Sequence, residues 1–128
     1  MSESLVNVRY MVADVAASAD WYVDNLGFER LPNASPAFAA VERGPLRLLL
    51  SGKASSAGRP MPDGRQPEAG GWNRFQFVVE DLETEVERLR GRGVRFRNDI
   101  VSGPGGKQIL AEDPSGNVVE IFQPAAVG

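Results

Sequence analysis

The chemistry open to this chain is narrowed first by two missing residue types: its 128 residues include no histidine and no cysteine. That removes the commonest general base, the commonest transition-metal ligand and the thiolate. Ser-His and Cys-His nucleophiles are excluded. A metal site would rest on oxygen ligands, which suit magnesium, calcium or manganese better than zinc or iron. Carboxylate, guanidinium, amide and aromatic chemistry remain. Glu120 is the carboxylate whose setting asks for an explanation, because it interrupts the apolar run Val118-Val119-Glu120-Ile121-Phe122. Such a run is a strand pattern. Side chains alternate along a strand, so Val118, Glu120 and Phe122 share one face and Val119 and Ile121 the other. The face carrying Glu120 is either a solvated sheet surface or the wall of a cavity that takes a carboxylate.

A second stretch, Arg74-Phe75-Gln76-Phe77-Val78-Val79, alternates in the same way. Phe75, Phe77 and Val79 form an apolar face, which turns Arg74, Gln76 and Val78 the other way. Arg74 would bring a planar donor fork suited to carboxylate or phosphate. Paired with Glu120, it makes either a structural ion pair or a polar wall that hydrogen-bonds a ligand. Gln76 and Asn7 would add neutral donors and acceptors to that wall. Trp72, Phe122 and Phe38 offer flat apolar surface for a ligand, with burial in the core as the alternative. Arg59 and Arg65 are either solvated loop charges or a clamp on an anionic ligand. Gly103-Pro104-Gly105-Gly106-Lys107 lacks the phosphate-loop spacing and joins strands, so a phosphate loop is rejected.

The elements that must position these residues follow from periodicity. Residues 6–13 read as a strand, Asp14 as a helix N-cap, and Gly27 as the helix's terminator. The helix between them carries Val15, Ser18, Trp21, Tyr22 and Asn25, and Trp21 or Tyr22 is assigned to the core. Strands follow at residues 28–31, 38–42 and 46–50, with a turn over 32–36. Residues 52–71, rich in Gly, Pro, Ser and Ala, read as a linker that either wanders over the surface or acts as a lid. The opening pattern then returns. Residues 74–82 match 7–15 position by position, with Asp81 as the second N-cap. Leu82, Val86 and Leu89 stripe the second helix, which ends at Gly91 and Gly93. Strands follow at 94–101, 107–112 and 118–122, and residues 102–106 form a hairpin turn. Each half is a strand, a helix and three strands, a duplicated unit.

Composition bounds the rest. One compact unit of this length can bury a real core. The net charge of −3 gives no electrostatic reason to bind nucleic acid or an anionic membrane. Met1-Ser2-Glu3-Ser4-Leu5 has neither a basic nor an apolar region, so no signal peptide is expected and the chain is expected to be cytoplasmic.

The two halves, with Asp113-Pro114-Ser115-Gly116-Asn117-x-x-Glu120 closing the second, resemble the vicinal oxygen chelate superfamily. That superfamily includes glyoxalase I, bleomycin-resistance proteins, fosfomycin-resistance enzymes and extradiol dioxygenases. Its further marks here are Val12-x-Asp14-Val15, Trp21-Tyr22, Leu26-Gly27-Phe28, Val79-x-Asp81-Leu82 and Gly93-Val94. The resemblance implies an α+β fold: two βαβββ modules forming a cupped mixed sheet with helices outside. Residues 1–128 are then a single domain, with modules at about 5–51 and 72–124 and a linker at 52–71. It also implies a homodimer. Metal-dependent members place ligands on the first, fourth, fifth and eighth strands. These positions fall here on Asn7, Arg47, Arg74 and Glu120.

That set implies no metal and no cofactor. A dication about 5 Å from one guanidinium is opposed by on the order of 6 kcal/mol at an effective dielectric of 20. The branch implied is the metal-independent one, which binds a small molecule such as an antibiotic or metabolite and sequesters it. Asn7, Arg47, Arg74, Gln76, Trp72 and Phe122 would bind it. The alternative is a lyase or isomerase with Glu120 as catalytic base, with or without a weak oxygen-ligated metal. A carboxylate base near neutrality wants burial or a like charge beside it, and an arginine neighbour works the other way.

Overall fold

The computed structural model describes residues 6–32 and 34–126. Asn33, within the expected turn, and the first five residues lie outside them. The chain divides into two units, Met1–Gly70 and Gly71–Gly128.

In the first unit, β1 (Val6–Met11) leads into α1 (Val15–Leu26). The Asp14 side chain accepts from the backbone N–H of Ala17 at 3.0 Å and so occupies an orphan donor of the first turn. Gly27 ends α1 at φ 70°, the left-handed conformation a side chain resists. Arg43 donates to the freed carbonyl of Leu26 at 3.1 Å. Strands β2 (Glu29–Arg30), β3 (Phe38–Arg43) and β4 (Leu46–Ser51) complete a sheet of order β1-β4-β3-β2. β1 runs parallel to β4, while the other pairs are antiparallel. The helix buries Val15, Ala19, Tyr22 and Leu26 against the sheet's Val41, Leu48 and Leu50. Tyr22 is the fully buried aromatic, packed edge-on to Phe28 and Trp21.

The stretch expected as a linker belongs to this unit up to Gly70 and is held by hydrogen bonds. Gly52 donates to Ala37, Ser56–Gly58 makes one 3₁₀ turn, and the Gln66 amide donates to the Gly58 carbonyl at 2.5 Å. A Cβ on Gly58 would lie 2.4 Å from the Lys53 carbonyl oxygen. Residues 66–69 return beside the end of β1 and enclose a cleft of about 240 Å³ with Met11, Val12, Ala13 and Lys53.

The second unit repeats the plan. β5 (Arg74–Val78) and α2 (Leu82–Gly91) precede β6 (Arg95–Phe96), β7 (Val101–Gly103), β8 (Gly106–Glu112) and β9 (Val118–Pro124). The sheet order is β5-β9-β8-β6, with β5 parallel to β9 and β7 also on β8. Asp81 caps α2 from the Thr84 N–H. Gln123 accepts from the Leu82 N–H at 2.8 Å and Lys107 pairs with Glu83, so both side chains face α2. Val119 and Ile121, of the same parity as Gln123, pack in that layer with Ile109, Val86 and Leu89. The Asp-Pro-Ser-Gly-Asn turn closes on itself. Buried Asp113 accepts from the N–H groups of Ser115 and Asn117 at 2.8 and 2.9 Å and from the Asn117 amide at 3.0 Å.

One expected strand is corrected. Residues 94–101 form two short strands, not one. Phe96 pairs with Ala111 and Val101 with Gln108, so four residues of one strand oppose two of the other. The surplus is absorbed where the Asn98 side chain, not a backbone carbonyl, accepts from the Leu110 N–H at 2.9 Å. Among the described residues no helix is long and apolar enough to cross a membrane.

Candidate functional site

The face of the second sheet opposite α2 brings together the polar side chains of β5 and β9. Gln76 and Glu120 are register partners on adjacent parallel strands, with Arg74 two residues earlier on the same face. Arg74 Nε donates to Glu120 Oε1 at 2.9 Å, and Gln76 Nε2 donates to Glu120 Oε2 at 2.6 Å. Arg74 Nη1 donates to the Trp72 carbonyl at 3.1 Å, which fixes the guanidinium at a second point. The Glu120 side chain is 11% exposed and that of Arg74 30%. The carboxylate is therefore a buried charge with two donors, and the cation beside it remains open to solvent on one side. Two further acceptor lobes of the carboxylate stay available, since each oxygen carries two. Val78 and Phe122 are register partners on this face, and Val78 is exposed. The face thus grades from charge at Arg74 to apolar surface at Val78 and Phe122.

Trp72 stands at the charged end, and its side chain belongs to a second cluster that the sequence reading missed. Arg97 lies under the indole, with its guanidinium carbon 4.4 Å from the ring centroid. All three of its nitrogens are engaged: Nε with Glu112 at 2.8 Å, Nη1 with the Gly71 carbonyl at 2.7 Å, and Nη2 with the Gly116 carbonyl at 2.9 Å. Local pattern gives no sign of this, because the acceptors, Glu112 at the end of β8 and the carbonyls of Gly71 and Gly116, are distant in sequence. Arg59 and Arg65 make local bonds within their own loop, to the Ser56 carbonyl and to Asp63.

Asn7 and Arg47 lie in the first unit as register partners on β1 and β4. Arg47 is 3.7 Å from Glu42, its register partner on β3, and its Nε is the one buried side-chain polar atom without a hydrogen bond among the described residues. Phe38 is half-buried on β3.

The register corrects the fourth-strand position. Asn7 and Arg74 stand at equal distances before the two N-caps, and so do Arg9 and Gln76. Gln76 pairs with Glu120, whereas Arg9 pairs with Leu49. The first-unit counterpart of Glu120 is therefore Leu49, and Arg47 corresponds to Val118. The misplacement arose because Arg47 is the sole polar residue in an apolar run, and pairing register is not written in local pattern.

The superfamily's metal fits these residues poorly. Of the four positions, now Asn7, Leu49, Arg74 and Glu120, one is a carboxylate, one a neutral amide, one aliphatic and one a cation already bonded to that carboxylate. Among the described residues no three Asp, Glu, His or Cys side chains gather as a metal-binding group.

The Glyoxalase/Bleomycin resistance protein/Dioxygenase superfamily model matches residues 4–121. Solved structures share the fold at low identity. A lactoylglutathione lyase from Agrobacterium tumefaciens is 21% identical with a TM-score of 0.74, over 95% of this chain and 94% of that one. An antibiotic binding protein from Streptomyces sp. CB03234 is 24% identical with a TM-score of 0.71, over 98% of each. A superfamily member from Sphaerobacter thermophilus is 23% identical with a TM-score of 0.75, over 96% and 98%. No curated protein sequence matches the chain.

Proposed function

This chain belongs to the Glyoxalase/Bleomycin resistance protein/Dioxygenase superfamily, and we propose that within it the protein binds a small molecule without a metal and holds it unchanged. The observation that carries the reading is the state of Glu120. Its two oxygens accept from Arg74 and Gln76, so a protein cation stands where metal-dependent relatives need an unencumbered carboxylate. Displacing Arg74 to admit a dication would separate a formed ion pair and bring two cations together, both unfavourable in a partly desolvated site.

Arg74, Gln76 and Glu120 supply the polar contacts in this reading, and Val78 and Phe122 supply apolar surface. In the first unit, taken by itself, Asn7 and Arg47 are a further pair of polar register partners proposed to bind ligand. The antibiotic binding protein among the structures of this fold is a precedent for the class of activity. A lyase or isomerase with Glu120 as base has less support, because both of its oxygens are already engaged.

The test is elemental analysis of protein purified without chelator, joined to calorimetric titration with manganese, nickel and zinc. Metal-free protein that gives no saturable heat with any of the three is expected. Stoichiometric metal, or ligand binding abolished by a chelator, would overturn the proposal.

A further inference from the structure

Trp72 is 67% exposed, the most exposed of the large hydrophobic residues. An indole placed so openly is ordinarily loose, yet this one lies on a guanidinium that is itself fixed. Arg97 has a largely covered side chain, 18% exposed, and its Nε, Nη1 and Nη2 reach Glu112, Gly71 and Gly116. No other aromatic ring or cation contacts Trp72 among the described residues. One face of the indole is therefore backed by a rigid cation and the other is open. The backbone of Trp72 is fixed too, since its carbonyl accepts from Arg74.

A bare indole face is electron-rich and attracts cations. A guanidinium against one face weakens that preference at the other, because the part of its positive field that the Glu112 carboxylate on Nε leaves uncompensated passes through the ring and opposes a second cation. It favours an electron-rich or anionic π system in the stack. From this juxtaposition we propose that the open face of Trp72, backed by Arg97, is a stacking platform selective for planar electron-rich or anionic aromatic molecules over cationic ones. Arg97 is then a positioning residue acting through Trp72. The inference rests on the reading of this unit as a small-molecule binder, and it names the ligand class.

The experiment titrates the full chain with 2-naphthoate and with 2-naphthyltrimethylammonium, followed by tryptophan fluorescence and calorimetry. Naphthoate is expected to bind at least tenfold more tightly than the ammonium compound, about what 1.4 kcal/mol gives. Trp72→Leu, which keeps the carbonyl that Arg74 uses, is expected to weaken naphthoate at least tenfold and to abolish the quenching. Trp21 remains as the internal reference in that variant. Arg74→Gln separates the two sources of positive charge. A preference for naphthoate that persists in Arg74→Gln supports Arg97 as its origin, and a preference lost there overturns it. Equal binding of the two probes, tighter binding of the ammonium, no binding of either, or indifference to Trp72→Leu would also overturn the platform. None of these outcomes requires a metal, so the proposed function is judged separately by the metal titrations.

Discussion

Replacing Arg74 by alanine tests whether the Arg74–Glu120–Gln76 cluster is a desolvated site or an ordinary wet surface. At 2.9 Å the gross attraction between the two charges is about 6 kcal/mol at an effective dielectric of 20. Desolvation offsets much of it, and the 30% exposure of Arg74 lets water reach the carboxylate once the guanidinium is gone. Charge-assisted hydrogen bonds contribute about 1.5–3 kcal/mol, and stripping the partner from a fully buried charge costs about 3–5 kcal/mol. With Gln76 still donating, Arg74→Ala should cost about 2 kcal/mol, a fall in Tm of roughly 6–10 °C for a chain of this size. Arg90 is the control. Its side chain is 54% exposed, and its partner Asp99, 3.6 Å away, is 99% exposed. Arg90→Ala should cost about 0–1 kcal/mol. Urea and thermal unfolding of both variants give the comparison, and Arg74→Ala with Glu120→Gln completes a double-mutant cycle. Equal, near-zero losses for the two arginine variants, with no coupling in the cycle, would refute the argument.

Gly106→Ala should destabilise by about 3 kcal/mol, because its φ is 143° and a Cβ would meet the Gln123 carbonyl oxygen at 2.2 Å and the Phe122 ring at 2.9 Å. Gly105→Ala, with open space around it, should leave the thermal midpoint nearly unchanged. Acid should weaken the second unit. The Thr84 N–H and hydroxyl hold Asp81 below its ordinary 3.8, and the Lys107 ammonium holds Glu83 below its ordinary 4.5. Carboxyls depressed in the folded state stabilise it above those ordinary values, and that contribution is lost as pH falls through the folded ones. The urea midpoint should therefore drop on acidification, and less steeply in Asp81→Asn. Each sheet taken by itself ends in edge strands, which motivates the proposal of a homodimer; light scattering at micromolar concentration should give twice the chain mass, and a monomer mass would remove that proposal.

Much of this fold is legible because its signals are local. Asp14 and Asp81 start their helices and Gly27 ends the first by contacts within five residues, and the face of Glu120 follows from strand alternation. The repeat in residues 7–15 and 74–82 yields the shared sheet order. What is illegible depends on partners distant in sequence. Asn98 breaks the expected strand by accepting a bond from Leu110. Arg97 looks like any arginine beside a phenylalanine until residues 71, 112 and 116 converge on it. Residues 52–71 look like a free linker because their bonds run from backbone to backbone and through scattered polar side chains such as Ser55, Arg59, Asp63 and Gln66, none of which forms a periodic pattern. The position of Leu49 needed the observed pairing, since an apolar strand carries no mark of its register.

The divergence of the two units on a common sheet order bears directly on function. In the first, Arg9 donates to the buried hydroxyl of Ser51 at 2.8 Å, and Arg47 leans on Glu42 one strand over. In the second, Arg74 and Gln76 both converge on Glu120. Where the second unit has its carboxylate the first has Leu49, and where the second has Gln76 the first has Arg9. A site built to bind a dication needs carboxylates left uncompensated by the protein, because the metal must supply the compensation. Here Glu42 and Glu120 each have an arginine from their own unit, so each sheet face balances its own negative charge. Donors remain beside these pairs: the second amide hydrogen of Gln76 and Nη2 of Arg74 in the second unit, and the buried Nε of Arg47 in the first. Such donors would suit a ligand rich in oxygen acceptors better than a cation, in line with the preference proposed for the open face of Trp72.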